Sequence, residues 1–214
     1  MPATEDEDEG ARSVPATTAL PDWIEGQPLG QIDQAAAEAL VAHLEQPDRS
    51  VALGLRELAE HRKREVRALA ARSLAAIGQF DSLVGVLADA EQRPVWPQQI
   101  DALRAAVALG PETASLVREA FAAVRREDGP ALFRMLWGYS ADNLKAGEAA
   151  RLVEYLEHED LDFRVLSIWN LHAITGAVSS YRPEYPPARR QQYFLRWQQK
   201  LAAGEIVPRA DGTK

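Results

Sequence analysis

Cysteine is absent from all 214 residues. That removes disulfides, thiolate zinc sites and cysteine nucleophiles, and it agrees with a reducing compartment. No apolar run reaches the roughly 18 residues that a membrane-crossing helix needs, so no membrane partner is expected. The start, MPATEDEDEG, is acidic where a signal peptide carries positive charge and then an apolar stretch. A cytoplasmic location is the resulting expectation. No segment shows the period-2 alternation of a half-buried strand. There is no glycine-rich phosphate loop and no G-x-S-x-G elbow. Histidine is scarce: His43, His61, His158 and His172 are the four, and none has the spacing of an HExxH metal site. Glu154 and His158 share one helical face, but a metal needs at least a third ligand, so neither metal nor cofactor is expected.

Positive charge is also in short supply. The net charge is −8, and residues 1–30 hold seven acids against Arg12, leaving about −2 for the rest. The acidic character belongs to a tail, and the body offers no broad basic surface for a nucleic-acid backbone. Residues 1–20 hold five consecutive acids, Glu5 to Glu9. So little apolar surface leads us to expect a disordered segment. Residues 21–31 read as a linker, with Trp23, Ile24 and Leu29 able to dock on the first helix.

From Ile32 the apolar residues recur with helical spacing. Ile32, Ala36, Leu40, Val41 and Leu44 form one stripe. Ser50 is placed to cap a helix over 51–60, with Val51, Leu55 and Leu58 inward. Further helices are expected over 65–76, 81–90, 98–109, 113–126, 131–137 and 142–157. In the helix over 113–126, Leu116, Val117, Phe121 and Val124 are expected inward. Asp160 stands where it can cap the next helix, which runs to Gly176. Gly-Pro pairs at 110–111 and 129–130 punctuate them. The stretch EVRALAARSLAAIG, Glu65 to Gly78, returns as DFRVLSIWNLHAITG, Asp162 to Gly176. Arg67 meets Arg164, Leu69 meets Leu166, Leu74 meets Leu171 and Ile77 meets Ile174. Gln98 to Gly110 is a weaker copy. Gly78 to Gly110 is 32 residues and Gly110 to Gly176 is 66, and a period in this range marks an array of stacked repeats.

Helix pairs whose second member carries Val66, Arg67, Ala70, Leu74, Ile77 and Gly78 resemble HEAT repeats. Phe163, Arg164, Leu171, Ile174 and Gly176 follow the same scheme, whereas the copies at Gln98 and Ala131 lack the Val-Arg pair. The resemblance covers residues 32–176. It implies an all-α fold, an α-solenoid of about five HEAT-like helix pairs, whose inner helices line a concave surface that binds proteins or peptides. Beyond the array, 177–187 is a Pro- and Tyr-rich connector. Residues 188–206 form a C-terminal capping helix with Tyr193, Phe194, Trp197 and Leu201 on one stripe, and 207–214 form a frayed end.

Stepping by the repeat aligns Arg72, Arg104, Trp137 and Trp169 in one column, at intervals of 32, 33 and 32. His172 lies beside it, and one turn later come Ala76, Ala108, Ala141 and Ala173. Arginine and large aromatics are favoured at binding hot spots, while large aromatics in helical register also serve to fill space between repeats. The expected site is therefore a groove lined by Arg72, Arg104, Trp137, Trp169 and His172, on a non-enzymatic scaffold with a protein or peptide partner. The chain is expected to act as a monomer or as a module of a larger assembly. The alternative implied by HEAT-like DNA glycosylases is an enzyme acting on nucleic acid.

Overall fold

The computed structural model describes residues 31–45, 50–177 and 179–209. The acidic tail and the segment with Trp23, Ile24 and Leu29 lie outside them, and so do the side chain of Ile32 and residues 210–214. Among the described residues the chain is all-helical, with no strand. None of these helices is long and apolar enough to cross a membrane.

The helices are α1 (Gln31–Leu44), α2 (Val51–Ala59), α3 (Arg64–Ala76), α4 (Asp81–Gly85), α5 (Trp96–Ala108), α6 (Pro111–Arg125), α7 (Gly129–Leu136), α8 (Ala141–Asn143), α9 (Ala149–Tyr155), α10 (Leu161–Thr175) and α11 (Pro187–Ala202). Neighbours in the chain pack together: α2 on α3, α5 on α6, α6 on α7, α9 on α10. In addition, α10 reaches back to α5 and to the turn at Val86–Ala88. One large core runs from Ala71 to Ile206, and a smaller one joins Ala36, Leu58, Val66 and Ala70. The approach of α6 to α7 depends on Gly129. A Cβ there would lie 2.7 Å from the carbonyl oxygen of Phe121, closer than packed atoms approach.

Several elements differ from their sequence reading for identifiable reasons. The helix expected over 81–90 stops at Gly85 and continues as tighter turns. The Asp89 carboxylate accepts the Glu91 amide at 2.9 Å and starts the second of these turns. The helix expected over 142–157 is broken at Gly147, whose φ of 111° only glycine adopts without strain. Ser50 and Asp160 occupy N-cap positions but make no side-chain cap bond. The carboxylate of Asp160 instead pairs with Arg125 at 2.8 Å. Val41, Val51, Leu116 and Val124 are exposed rather than inward. Val51 and Val124 are in line with the buried residues of their helices but sit in the first turn of α2 and the last turn of α6, where coverage ends. Glu154 and His158 do not share a helix face, because α9 ends at Tyr155 and the His158 Nδ1 accepts the Asp160 amide.

The C-terminal part closes over α9 and α10. Trp197 on α11 is buried, and the Tyr181 hydroxyl donates to the carbonyl of Leu156. Residues 205–209 fold back onto α10. Ile206 is buried, and the Arg209 amide donates to the Ile174 carbonyl at 2.7 Å. Residues 207–209, read from sequence as part of a frayed end, are therefore tied to the body by this bond.

Candidate functional site

Arg104 is on the third turn of α5 and Trp169 on the third turn of α10. The contact between these helices brings the two side chains together: the Arg104 guanidinium lies 4.7 Å from the centre of the Trp169 ring. A cation over an indole face is attracted by the ring quadrupole, and the stacking holds a planar guanidinium in one orientation. Neither residue is fully buried.

His172 is one turn beyond Trp169. Its Nε2 is 2.9 Å from the Ser179 hydroxyl, and its ring centre is 6.2 Å from that of Trp197. Burial pushes its pKa below the ordinary 6.5, so the ring is neutral at pH 7. Among the described residues no carboxylate pairs with it, so the Ser179–His172 pair lacks the third group that orients and activates such a base.

Two cavities meet at His172. One, of about 190 Å³, is lined by Trp96, Pro97, Ile100, Trp169, His172 and Tyr181 among others. It is largely apolar, though Arg93 and Glu184 at its edge form an ion pair at 3.2 Å. The other, of about 510 Å³, is lined by Arg104, Tyr139, His172, Gly176 and Arg209 among others. The exposed face of α10 between them carries Ala173. Equivalent small residues Ala76, Ala108 and Ala141 are also exposed.

The remaining two members of the column lie elsewhere. Arg72 is exposed and lines a separate cavity of about 340 Å³ between α1, α3 and residues 94–99. Trp137 is 57% exposed, edge-on to Phe133 at 6.1 Å, and lines neither cavity around His172. At that exposure it does not fill core space. Sequence reasoning missed Arg209 and Tyr139. Arg209 sits in the stretch read as a frayed end. Tyr139 falls outside the repeat register, and only the aromatic ring beside a Gly turn signals it.

Among the described residues no group of three or more His, Asp or Glu side chains is arranged to hold a metal ion. Comparison of the chain with family models, with curated proteins and with solved structures finds no match.

Proposed function

We propose that the chain is a HEAT-like array of about five helix pairs, closed by α11, and that it binds a protein or peptide partner without catalysing a reaction. The binding face is the one carrying Arg104, Trp169 and His172, with Trp137 at its margin. The observation that carries this reading is the Arg104 guanidinium over the partly buried Trp169 ring between two cavities. A pre-oriented guanidinium beside an apolar pocket offers directional donors and desolvated area together, which is what concentrates binding energy in a few side chains. The repeat itself supports the array. Arg67 and Arg164 stand 97 positions apart and make matching bonds to the turns that precede their helices. The contact of α10 with α5 curls such an array more tightly than neighbour-only stacking does.

The ligand that fits is a peptide with acidic and aromatic residues. Selection of a displayed random-peptide library on the immobilised protein is expected to enrich such sequences. Arg104→Ala should weaken the selected peptides by about 2 kcal/mol, roughly thirty-fold, while leaving the melting temperature in place. No enrichment, or enrichment indifferent to Arg104→Ala, overturns the reading. Salt-dependent binding of duplex DNA in a parallel titration would replace it with a nucleic-acid one.

A further inference from the structure

The 510 Å³ cavity is lined by cations without a counter-charge. Two guanidinium-bearing residues, Arg104 and Arg209, line it, and no carboxylate does. Neither makes an ion pair among the described residues. Several other arginines are paired with acids. Arg67 meets Asp89 and Glu91, Arg93 meets Glu184, Arg125 meets Asp160 and Asp162, and Arg151 meets Glu148. In a chain with 32 acids against 24 Lys and Arg, counter-charges are plentiful. Two unmatched cations facing one concave space focus positive potential there.

We infer that this cavity is an oxyanion site, in which Arg104 and Arg209 hold the carboxylate or phosphate group of a bound peptide. The peptide as the source of the anion rests on the function proposed above; the anion site itself does not.

The local geometry is built for it. Arg104 is held over the Trp169 ring and its guanidinium makes no hydrogen bond among the described residues, so its N–H groups are open to a bidentate acceptor. Arg209 is anchored through its backbone amide on Ile174, and its side chain makes no hydrogen bond or ion pair among the described residues. Both guanidiniums lie against glycines that close helices. A Cβ on Gly138 would sit 3.6 Å from an Arg104 terminal nitrogen. One on Gly176 would sit 3.0 Å from the Arg209 Cδ and 3.3 Å from its Nη1. The left-handed φ values of 72° and 66° already call for glycine, and the missing side chains leave room for the arginines. Tyr139 adds a neutral donor. Burial pushes its phenol to about 12, and the hydroxyl has no partner among the described residues. His172 supplies no charge, since it is neutral and its Nε2 is engaged by Ser179. Because His172 also lines the apolar cavity, the preferred peptide carries an aromatic or aliphatic side chain next to its oxyanion.

The test uses the full chain and two probes. First, inorganic phosphate and acetate are titrated while the backbone amide resonances of Gly138 and Gly176 are followed by NMR. Gly78 is the internal control: it has the same left-handed conformation, but its neighbour is Leu116, not arginine. Saturable shifts at Gly138 and Gly176, absent at Gly78 and lost in Arg104→Gln and Arg209→Gln, are expected. Arg209→Gln keeps the backbone bond to Ile174 and removes no side-chain bond among the described residues, so loss of signal there is not loss of structure. Shifts equal at all three glycines, or none, overturn the site. Second, labelled peptides with a central Phe-Glu, Phe-phosphoserine or Phe-Gln are measured by fluorescence polarisation. An anionic peptide should bind at least about ten-fold tighter than the glutamine one, and Arg209→Gln should remove the difference. Which anionic peptide wins identifies the oxyanion. Equal binding of all three overturns the peptide as its source, whatever the first probe shows. Phosphate shifts with no peptide bound leave the anion site standing and remove the peptide groove.

Discussion

In the first clear copy of the repeat, Arg67 donates to the carbonyls of His61 and Arg62, and His61 Nδ1 accepts the Lys63 amide. In the second, Arg164 donates to the carbonyls of His158 and Glu159, and His158 Nδ1 accepts the Asp160 amide. The turns are built alike, and their surroundings differ. Arg67 continues to Asp89 and Glu91 in the turns that follow Val86–Ala88, at 3.0 and 2.7 Å. Arg164 continues to the carbonyl of Pro183 and lies near Arg190. Ile77 is 51% exposed, whereas its counterpart Ile174 is 8% exposed. The segment 205–209 returns across α10 and has no equivalent over α3 among the described residues. One motif thus serves two settings, one latched by charge to Asp89 and Glu91 and one roofed by residues 205–209. The candidate site arises only at the second, where roof and helix face each other.

The largest test of that contrast is Trp197→Ala. Trp197 is 2% exposed and exists only on the terminal side. Its truncation should cost about 3–5 kcal/mol by urea titration, the range for a buried aromatic replaced by alanine. A loss below about 1 kcal/mol, at the level of a surface change, would mean that α11 is not holding α9 and α10 in place.

Next in size is the pair Arg67→Ala and Arg164→Ala. Each leaves turn carbonyls without a donor, at about 1–3 kcal/mol for buried groups. Their response to salt should differ. Part of the Arg67 contribution is an ion pair with Glu91, whose side chain is 72% exposed, and salt screens such pairs. The cost of Arg67→Ala should therefore shrink by several tenths of a kcal/mol between low salt and about 1 M salt, while that of Arg164→Ala holds. Equal salt dependence would erase the distinction between a charged latch and a neutral one.

Much of this was legible in the residues. Helical spacing and the glycines at 78 and 176 marked where helices run and stop, because those signals are local. The step of 32–33 residues put Arg104 and Trp169 in one column, but two steps apart with Trp137 between them, so their direct contact did not follow from it. What failed to show was decided by tertiary approach. Leu116 and Val124 have the spacing of core residues, but no neighbour covers them. Arg72 shares the column, yet the reach of α10 back to α5 brings the site together away from α3. Arg209 reads as part of a tail until its amide is seen on Ile174.

The smallest effect concerns one residue at which the copies differ. His172 occupies the place that Ala75 holds in the first copy. Burial lowers its pKa below the ordinary 6.5. Between that lowered value and 6.5 the unfolded chain therefore binds more protons than the folded one. Stability then rises with pH through this window, and it falls on acidification from 6.5 down to the folded-state value. One proton sets the upper limit of the slope, about 1.4 kcal/mol per pH unit. His172→Gln retains a polar partner for Ser179 but does not titrate. Urea midpoints for wild type and variant should coincide in their pH dependence above 6.5 and diverge below it, with the wild type losing more. The other three histidines are common to both proteins, so their titration cancels in the difference. Parallel curves throughout would show that His172 is as solvated as an exposed histidine. In that case the terminal copy would not enclose its site as described.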